Sequence, residues 1–537
     1  MEQQAAQIIK RASAMKSQRA DNDSTWSDCY DYTYPMRGAG LDGDTGSLSD
    51  AGGKTAKIYD STATDSARIL ASSMMAGMTP ANAQWLDLDA DNLSDEEKAW
   101  FSESATIIWT NIHSANFDAE AYEANLDSVI AGWFVMYTEE NVKEGGYNFQ
   151  QWHLSQCSLA STRPDLVVDT IAREYKRTAV QAITEFGEKA VSEKIRTAAK
   201  SKPEEIFTFL HFITPRQDAK EGAQLARNLP FASYHIDVQS KQIVRESGYH
   251  EFPCAVPRWM RIPGTVYGIG PVFDALPDIR TLNELKRQQL AATDLAIAGM
   301  WIAEDDGVLN PRTVKVGPRK IIVANSVDSM KPLLTGSDFN VSFTKEQSLQ
   351  ASIRKILMAD QLQPQDGPAM TATEVNVRVG LIRQLLGPVY GRFQAEFLAP
   401  LVERCFGLAL RAGALPQIPQ SLAGKKFNVR YLNPLARAQK MEDVSAIERF
   451  SADIGQLMNV SPDIADNVDF DEAARVIADG LGVPVSVLRN KDDVEAFRKQ
   501  KMEQAQAAQQ QQMTAETMAS VAQDAGGAMA QKVIADA

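Results

Sequence analysis

The chain of 537 residues is too long for a single hydrophobic core and predicts two to four domains, not all contiguous in sequence. Its 55 basic and 69 acidic side chains give a net charge of −14, the wrong sign for a protein that grips nucleic acid through its phosphates. Any contact with DNA is therefore expected to be local or non-adhesive.

The four cysteines predict neither a zinc cluster nor a disulfide framework, because they are spread along the chain and form no C-x-x-C pair. This usage is typical of a reducing compartment. The N-terminus lacks the apolar stretch of a secretory signal, and no run of about 18 apolar residues occurs. We expect a cytosolic chain that spans no membrane.

Two helices are predicted near the N-terminus, separated by a glycine-rich loop. Apolar side chains recur at helical spacing across residues 2–34 and again across 58–77. The loop at 38–53 runs into Gly53-Lys54-Thr55, which matches the end of a nucleotide-binding P-loop. Leu48 occupies the position where that loop needs its first glycine, so we favour an exposed loop leading into a helix.

The acidic run at 87–97 has two interpretations. Ser94 and Glu97 have the spacing of a capping box and predict the start of a helix. A calcium-binding loop would need glycine and glutamate where this chain has Asn92 and Lys98, so the helix is favoured.

Several segments are predicted as strands from alternating or β-branched patterns. They are QWLDLDADN, SVIAGWFVMYTEE, EEIFTFLHFITP, ASYHIDVQ and QIVRESGYHEFP. The last three indicate a sheet or a small barrel. His153 and Cys157 would share a face if their segment were helical, but two metal ligands without a third favour ordinary packing. No set of residues with catalytic or metal-binding spacing is found, so neither a catalytic nor a metal site is predicted.

The middle of the chain predicts two helices that flank a small β-rich insert. Pro277 is placed in the first turn of a helix that runs to Gly299, a rod of roughly 35 Å. The second helix covers residues 344–362, roughly 28 Å. Residues 301–341 between them are broken by glycine and proline into short strands. The arrangement predicts an antiparallel helix pair with a knob at its far end.

The C-terminal third predicts a long bent helix and then shorter elements. A capping box formed by Thr371 and Glu374 starts a helix of about 40 residues, with Gly387-Pro388 and Pro400 placed to bend it. A strand returns in KKFNVRYLNPLAR, and short helices follow. The Ala- and Gln-rich end of the chain either frays or packs against copies of itself.

Three stretches, in this order, resemble the portal (head-to-tail connector) proteins of short-tailed bacteriophages. They are KIYDSTATDSARILASSMMAGMTP, YGIGPVFDALPDIRTLNELKRQQLAATDLAIAG and MTATEVNVR, the last followed by the bent helix. The resemblance extends over nearly the whole chain. It implies an α+β, mainly helical portal fold that assembles as a ring, usually of twelve copies, at one vertex of the capsid.

The resemblance also implies a division of the chain into named parts. These are a wing at 1–264, stem helices at 265–300 and 342–361, a clip at 301–341, a tunnel loop at 362–372, a kinked long helix with a returning wing strand at 373–440, crown helices at 441–500 and a barrel helix or disordered tail at 501–537.

The implied function is a channel that passes double-stranded DNA during packaging and ejection. Implied partners are the terminase large subunit, tail adaptor and tail proteins, and the major capsid and scaffolding proteins, with no cofactor and no membrane. The implied location is the virion, and the host cytoplasm during assembly. The resemblance also implies that the chain is not an enzyme, because in this family a separate terminase subunit hydrolyses ATP.

Candidate site residues follow from the resemblance and from charge. The tunnel loop would be formed by Gln363, Pro364, Gln365, Asp366, Gly367 and Pro368. The cations of the stem that face the channel would be Lys286, Arg287, Lys345, Arg354 and Lys355. The residues of the clip that contact a partner would be Arg312, Lys315, Arg319 and Lys320. The stem cations are equally explained as solvated helix faces or ion pairs between subunits. For the clip cations, edge-strand charge that discourages aggregation is slightly favoured over a contact with a partner.

Two rival functions remain open at this point. A packaging ATPase or nuclease would need a complete P-loop or a metal-binding carboxylate cluster. A structural capsid or scaffolding protein would lack a ring with a central hole.

Overall fold

The computed structural model describes most of the chain. The described residues are 2–41, 48–82, 84–89, 95–220, 225–298, 301–303, 330–332, 339–362, 387–419, 428–431, 434–457, 468–481, 494 and 496–504.

The α-helices and strands follow one another in a mixed order along the chain. They are α1 Glu2–Asp31, α2 Leu48–Thr55, α3 Thr62–Met78, β1 Leu86–Asp89, α4 Asp95–Ser114, α5 Phe117–Ile130, β2 Val135–Glu140, β3 Tyr147–Trp152, β4 Cys157–Ala160, β5 Thr170–Thr178, α6 Ala179–Phe186, α7 Glu193–Ser201, β6 Ile206–Pro215, β7 Phe231–Asp237, β8 Gln242–Tyr249, β9 Cys254–Ala255, β10 Met260–Arg261, β11 Gly268–Ile269, α8 Pro271–Ala298, β12 Trp301–Ala303, β13 Met330–Pro332, α9 Phe339–Ile356, α10 Ala359–Leu362, α11 Ala399–Ala412, β14 Asn428–Tyr431, α12 Pro434–Leu457 and α13 Phe470–Leu481.

The chain divides into two compact units. The first comprises Met1–Leu88, Ala105–Pro416 and Val429–Pro434, and the second comprises Asp89–Ser104, Gln417–Asn428 and Leu435–Ala537. Both units draw on separated stretches of sequence, as the length and composition predict.

An antiparallel sheet with the strand order β4-β5-β6-β7-β8 forms the largest β-structure described in the first unit. Side chains alternate between its two faces, because successive residues of a strand point in opposite directions. Leu210 and Phe212 pack with α1, whereas Phe207 and Phe209 pack with α6 and α7 around Ile195. The sheet predicted from sequence is confirmed, and it is open rather than closed into a barrel.

The segment SVIAGWFVMYTEE is only partly a strand. Val129 and Ile130 end α5, and the strand begins at Val135. Both residues are fully buried, so packing of α5 outweighs their preference for strands. Gly132, with φ +87°, separates the helix from the strand.

The motif Gly53-Lys54-Thr55 closes the short helix α2, so the expected exposed loop is wrong at these three residues. Thr55 Oγ1 donates to the Ala51 carbonyl at 2.8 Å, and Lys54 Nζ contacts Asp31 Oδ1 at 2.8 Å. A P-loop would place this lysine at the beginning of its helix, where backbone N–H groups bind phosphate. Here it lies in the last turn of a helix and faces a carboxylate.

His153 and Cys157 do not share a helical face. His153 caps a single 3-10 turn, with its side chain bound to Ser155 and to the Arg37 carbonyl, and Cys157 begins β4. Ser94 of the expected capping box lies outside the described residues, and α4 begins at Asp95.

The long C-terminal helix is described from residue 387 onward. It contains a π-helical segment, Gln394–Leu398, directly before α11, and Pro400 lies in the first turn of α11. Pro400 has no N–H to donate to the carbonyl four residues before it, so one helical hydrogen bond is missing there. The π-helical segment lies at this interruption, where the sequence predicts a bend. The capping box at Thr371 and Glu374 lies outside the described residues.

Most of the described part of the second unit is helical. It includes α12, α13 and a helical stretch at 496–504. Arg498 of that stretch donates from its two Nη atoms to the two carboxylate oxygens of Asp471 in α13, at 2.6 and 2.7 Å. The helices expected at 441–500 are present where the chain is described, although the first begins earlier, at Pro434.

Candidate functional site

Helices α8 and α9 form an antiparallel hairpin, the arrangement that the sequence predicts. Three side-chain contacts between the helices lie along the hairpin. The helices are antiparallel, because the residue numbers in these contacts rise on α8 as they fall on α9. Asp278 Oδ2 accepts from Ser352 at 2.6 Å, Lys286 Nζ contacts Glu346 Oε1 at 2.5 Å, and Gln289 donates to Ser342 at 2.8 Å.

Helix α8 begins at Pro271 rather than near Pro277, which makes it 28 residues and about 42 Å long. Pro277 lies inside the helix, so the Phe273 carbonyl loses its usual partner. Both residues are exposed, and water can therefore bind that carbonyl. The helix is described as far as Ala298, and the predicted stop at Gly299 lies outside the described residues.

The two halves of the hairpin differ in burial. In the half near the start of α8, Val272, Ile279 and Leu282 are buried, as are Ile353 and Leu357 opposite them. Towards the far end, Leu290 and Phe343 are 53% and 55% exposed. The near half is therefore anchored in the first unit, and the far half projects from the packed core of this unit.

A short strand pair continues the hairpin at its far end. Trp301 pairs with Pro332 and Ala303 with Met330, in the same antiparallel sense as the helices. The β-rich insert predicted between the helices thus begins as an antiparallel ladder. The four clip residues Arg312, Lys315, Arg319 and Lys320 lie outside the described residues.

Close backbone contact fixes the base of the hairpin. A Cβ on Gly132 would lie 2.0 Å from the carbonyl carbon of Ile269, and one on Gly270 would lie 2.5 Å from the carbonyl oxygen of Val129. Trp26 Nε1 donates to the Gly268 carbonyl at 3.3 Å, within an aromatic cluster with Trp133. Only glycine permits this approach of the α5–β2 junction to the start of α8.

The segment before α3 holds one side of the hairpin. Asn283 accepts from the Tyr59 N–H at 2.7 Å and donates to the Lys57 carbonyl at 2.9 Å. Gln350 of α9 donates to Asp60 Oδ2 at 2.8 Å. The Asn283 contacts join two of the sequence stretches that carry the portal resemblance, 57–80 and 267–299. No local pattern in the sequence predicts that these stretches meet.

The hairpin is less acidic than the chain as a whole. Helices α8 and α9 carry six lysine or arginine residues and five aspartate or glutamate residues, a net charge of +1 in a chain of −14. Within the first unit, Arg280 pairs with Asp28 at 2.6 Å, and Arg287 pairs with Glu284 on the same helix at 2.6 Å. Bases and acids are thus nearly balanced along the hairpin.

The five predicted stem cations have different environments. Lys286 is bound to Glu346 in the seam between the helices, and Arg287 is exposed but paired with Glu284. Lys345, Arg354 and Lys355 are exposed and, within the described part of the chain, form no ion pair.

The three unpaired cations of α9 do not share one face. At about 100° per residue, Lys345 and Lys355 lie about 80° apart around the helix, while Arg354 lies about 180° from Lys345. One side of α9 can therefore present at most two of them to the same surface. The tunnel-loop residues Gln363 to Pro368 lie outside the described residues.

Sequence reasoning missed the residues that hold the hairpin together. Asn283, Glu346 and Gln350 act through partners far away in the sequence, and no local pattern indicates them. Of these three residues, only Glu346 could have been suspected from the sequence. An acidic residue on the helix face that carries the apolar residues of α9 is unusual and indicates a buried partner.

The described residues give no sign of a metal site or of a membrane span. Among them, no three His, Cys, Asp or Glu side chains cluster as a metal ion would require. Every helix in the part of the chain described is too short or too polar to cross a bilayer.

Comparison with known proteins identifies the family. The family described as "Bacteriophage head to tail connecting protein" matches residues 5–488. The chain is 27% identical over 531 residues to the probable portal protein of Bordetella phage BPP-1 and 24% identical over 528 residues to the portal protein of Salmonella phage epsilon15, covering 94% of this chain and 92% of each relative. The chain therefore belongs to the family of bacteriophage head-to-tail connecting proteins.

A third relative is the portal protein of Escherichia phage T7, 22% identical over 400 residues, with 71% of this chain and 70% of that protein covered. The resemblance to portal proteins of short-tailed phages is thus confirmed. A solved structure titled "Neck of empty GTA particle computed with C6 symmetry" matches with 12% identity and a TM-score of 0.35, over 70% of this chain and 85% of that one. At that TM-score the likeness carries no argument about assembly.

Proposed function

We propose that this protein forms a ring, with about twelve copies expected, at one vertex of a phage capsid, and that the ring is the channel for double-stranded DNA in packaging and ejection. Family membership over residues 5–488 carries the proposal. The α8–α9 hairpin supports it, because a projecting helix pair is a suitable element to surround a channel when repeated by rotation.

In this proposal the parts of the chain have the roles that the resemblance implies. The wing is 1–264, the stem 265–300 and 342–361, the clip 301–341, the tunnel loop 362–372, the kinked helix with its returning strand 373–440, the crown 441–500 and the barrel helix or tail 501–537. The wing would hold the base of the hairpin, and the strand pair at its far end would begin the clip.

Electrostatics supports a channel through which DNA slides. A protein that neutralises several phosphates binds DNA tightly in low salt and would resist movement of the duplex. The net charge of −14 and the internal pairing of Lys286 and Arg287 oppose such a grip. Lys345, Arg354 and Lys355, repeated around a ring, would provide weak sites that centre the duplex.

The loop from Gln363 to Pro368 is proposed to protrude into the channel and slow the backward movement of packaged DNA. The basic clip residues Arg312, Lys315, Arg319 and Lys320 are proposed to contact the terminase or an acidic tail protein. Major capsid and scaffolding proteins would surround the ring. The protein would assemble in the host cytoplasm, remain in the virion, and catalyse no reaction of its own.

Images of the purified chain test the proposal. Negative-stain electron microscopy should show flat rings with a central hole, and the same preparation should not hydrolyse ATP above the buffer background. Rings without a hole would favour a structural capsid protein. ATP hydrolysis that depends on Lys54 would favour the packaging enzyme.

A further inference from the structure

Buried guanidinium groups in the first unit are neutralised by carboxylates of the same chain. Arg258 pairs with Glu396 at 2.7 Å, and Arg404 pairs with Glu251 at 2.9 Å. A charge that is withdrawn from water is costly unless a counter-ion lies beside it. An arginine that is withdrawn from water and has no carboxylate in its own chain therefore points to a counter-ion from outside.

Arg173 on β5 is such an arginine. It is partly buried and forms no ion pair among the described residues. Its Nε donates to Gln156 Oε1 at 3.0 Å, and its guanidinium lies 4.5 Å from the centre of the Trp152 ring and 5.2 Å from that of the Tyr175 ring. The two Nη atoms have no hydrogen-bond partner within the described part of the chain, and both are accessible to solvent.

The nearest charged neighbour of Arg173 on the same strand is another cation. Arg177 lies over the same Tyr175 ring, 4.8 Å from its centre. Burial lowers the pKa of Arg173, and the charge of Arg177 lowers it further. Arg177 is neutralised by Glu185 at 2.9 Å, a partner of a kind that Arg173 lacks. The positive charge of Arg173 is therefore uncompensated.

The unoccupied edge of the guanidinium suits a carboxylate. Because Nε is already bound to Gln156, the two Nη atoms form the donor edge that remains. A carboxylate accepts two parallel, charge-assisted hydrogen bonds from such an edge. The contacts with Trp152 and Tyr175 fix the guanidinium beforehand, so little conformational entropy is lost when the anion binds.

We propose that the Nη edge of Arg173 binds a carboxylate side chain of a second copy of this chain. The chain carries 69 acidic and 55 basic side chains, so a neighbouring copy offers carboxylates in excess. The contact joins two different surfaces, and repetition of such a contact by rotation closes a ring. The inference rests on the proposed ring and assigns one of its subunit contacts.

The substitution Arg173→Met tests the contact. It should raise the protein concentration needed for half-assembly by about tenfold or more, because the carboxylate of the neighbour loses its partner. Methionine retains contact with the aromatic rings, and removal of an unpaired charge should not lower the unfolding midpoint of the unassembled chain. Mass photometry measures assembly, and urea unfolding followed by circular dichroism measures stability.

The matched control is Arg11→Met. Arg11 is exposed and lies 5.4 Å from the centre of the Phe212 ring, so it too is an arginine over an aromatic ring. Phe212 follows His211, the cross-strand partner of Arg173, and therefore lies on the other face of the sheet. Arg11→Met should assemble at the wild-type concentration.

Photo-cross-linking identifies the carboxylate. A p-benzoylphenylalanine introduced at Gln156, beside Arg173, should give cross-linked dimers in assembled rings and none in the unassembled chain. Mass spectrometry of the dimer should place the second attachment next to an aspartate or glutamate. Arg173→Glu should weaken assembly, and changing that acidic residue to arginine in the same chain should restore it.

The outcomes separate this inference from the proposed function. Rings that form at the wild-type concentration with Arg173→Met, without dimers from the cross-linker, overturn the inference but leave the ring intact. A lower unfolding midpoint of unassembled Arg173→Met would show a role within the single chain and also overturn it. Stabilisation of the unassembled wild type by sodium acetate, absent in Arg173→Met and without effect on assembly, would assign the site to a free carboxylate instead. A wild-type chain that forms no ring overturns the proposed function, and the inference with it.

Discussion

Arg258 and Glu396 form a bidentate ion pair inside the first unit, with Arg258 Nε and Nη2 donating to the two carboxylate oxygens at 3.0 and 2.7 Å. Arg258 is 1% exposed, and its remaining Nη1 donates to the Leu166 and Val266 carbonyls. Glu396 lies in the π-helical segment of the long helix. The pair therefore joins that helix to the strands that precede the hairpin.

Replacing Glu396 with alanine should lower the free energy of unfolding by about 3 kcal/mol, because the substitution leaves a buried guanidinium without its counter-ion. Urea unfolding followed by fluorescence measures the change. Glu284→Ala removes an exposed ion pair and is the matched control, which should leave the unfolding midpoint unchanged. Equal effects from both substitutions would contradict the structural role of the buried pair.

The glycine contacts at the base of the hairpin give a second prediction. Gly132→Ala should prevent folding of the first unit or sharply reduce soluble yield, because its Cβ would overlap the Ile269 backbone. Gly145 also has a positive φ, +80°, but no atom lies within 4 Å of its Cβ position. Gly145→Ala should therefore cost only about 1 kcal/mol of backbone strain. A normally folded Gly132→Ala protein would show that this approach is not required.

Stability should also depend on pH through a buried histidine pair. His211 and His235 are opposite each other on β6 and β7, with ring centroids 3.9 Å apart. Burial, together with nearby arginines, lowers the pKa of His235 to about 3. The pKa of His211 is lowered well below its ordinary value by burial, by the neighbouring His235 and by nearby arginines. Burial also lowers the pKa of His153.

Proton uptake by the unfolded chain sets the direction in which stability changes with pH. Below about pH 6.5 the unfolded chain binds protons on these histidines while the folded chain does not, so stability should fall as pH drops from about 6.5 towards 3. His235 alone contributes a slope of about 1.4 kcal/mol per pH unit in that window, and His211 and His153 add to the loss in the same direction. Urea unfolding at pH 7 and pH 5 should show the loss.

His235→Gln keeps a side chain able to bond Tyr175, the partner of His235 Nδ1 at 3.0 Å, and should make the pH slope shallower by about one proton. His250→Gln makes the same change at an exposed histidine outside the pair and serves as the matched control. An unchanged slope in His235→Gln would show that the buried pair does not control acid stability.

Local patterns predicted much of the fold. The hairpin and three strands of the large sheet, β6, β7 and β8, were recognisable from residue spacing, because amphipathic periods of 3.6 and 2 reflect which faces are buried. Strands β4 and β5 of that sheet were not predicted. The start of α8 was misplaced because proline is common in the first turn of a helix, and nothing local distinguishes Pro277 from such a residue. Pro271 provides that first turn instead.

The contacts that hold the site could not be predicted from one sequence. Arg258 and Glu396 are 138 positions apart, and Asn283 is 226 positions from Lys57. Such pairs depend on the tertiary arrangement, not on local periodicity. The predicted stem cations show the same limit: charge alone did not separate Lys286, paired within the seam, from Lys345, which is exposed.

A cryo-EM reconstruction of the assembled protein, viewed along its symmetry axis, is the decisive measurement for the proposed ring. We expect a closed ring in which the α8–α9 hairpins of all copies surround a hole wide enough for a DNA duplex. A chain that stays monomeric in every assembly condition, or a ring whose hairpins lie away from the hole, would contradict it.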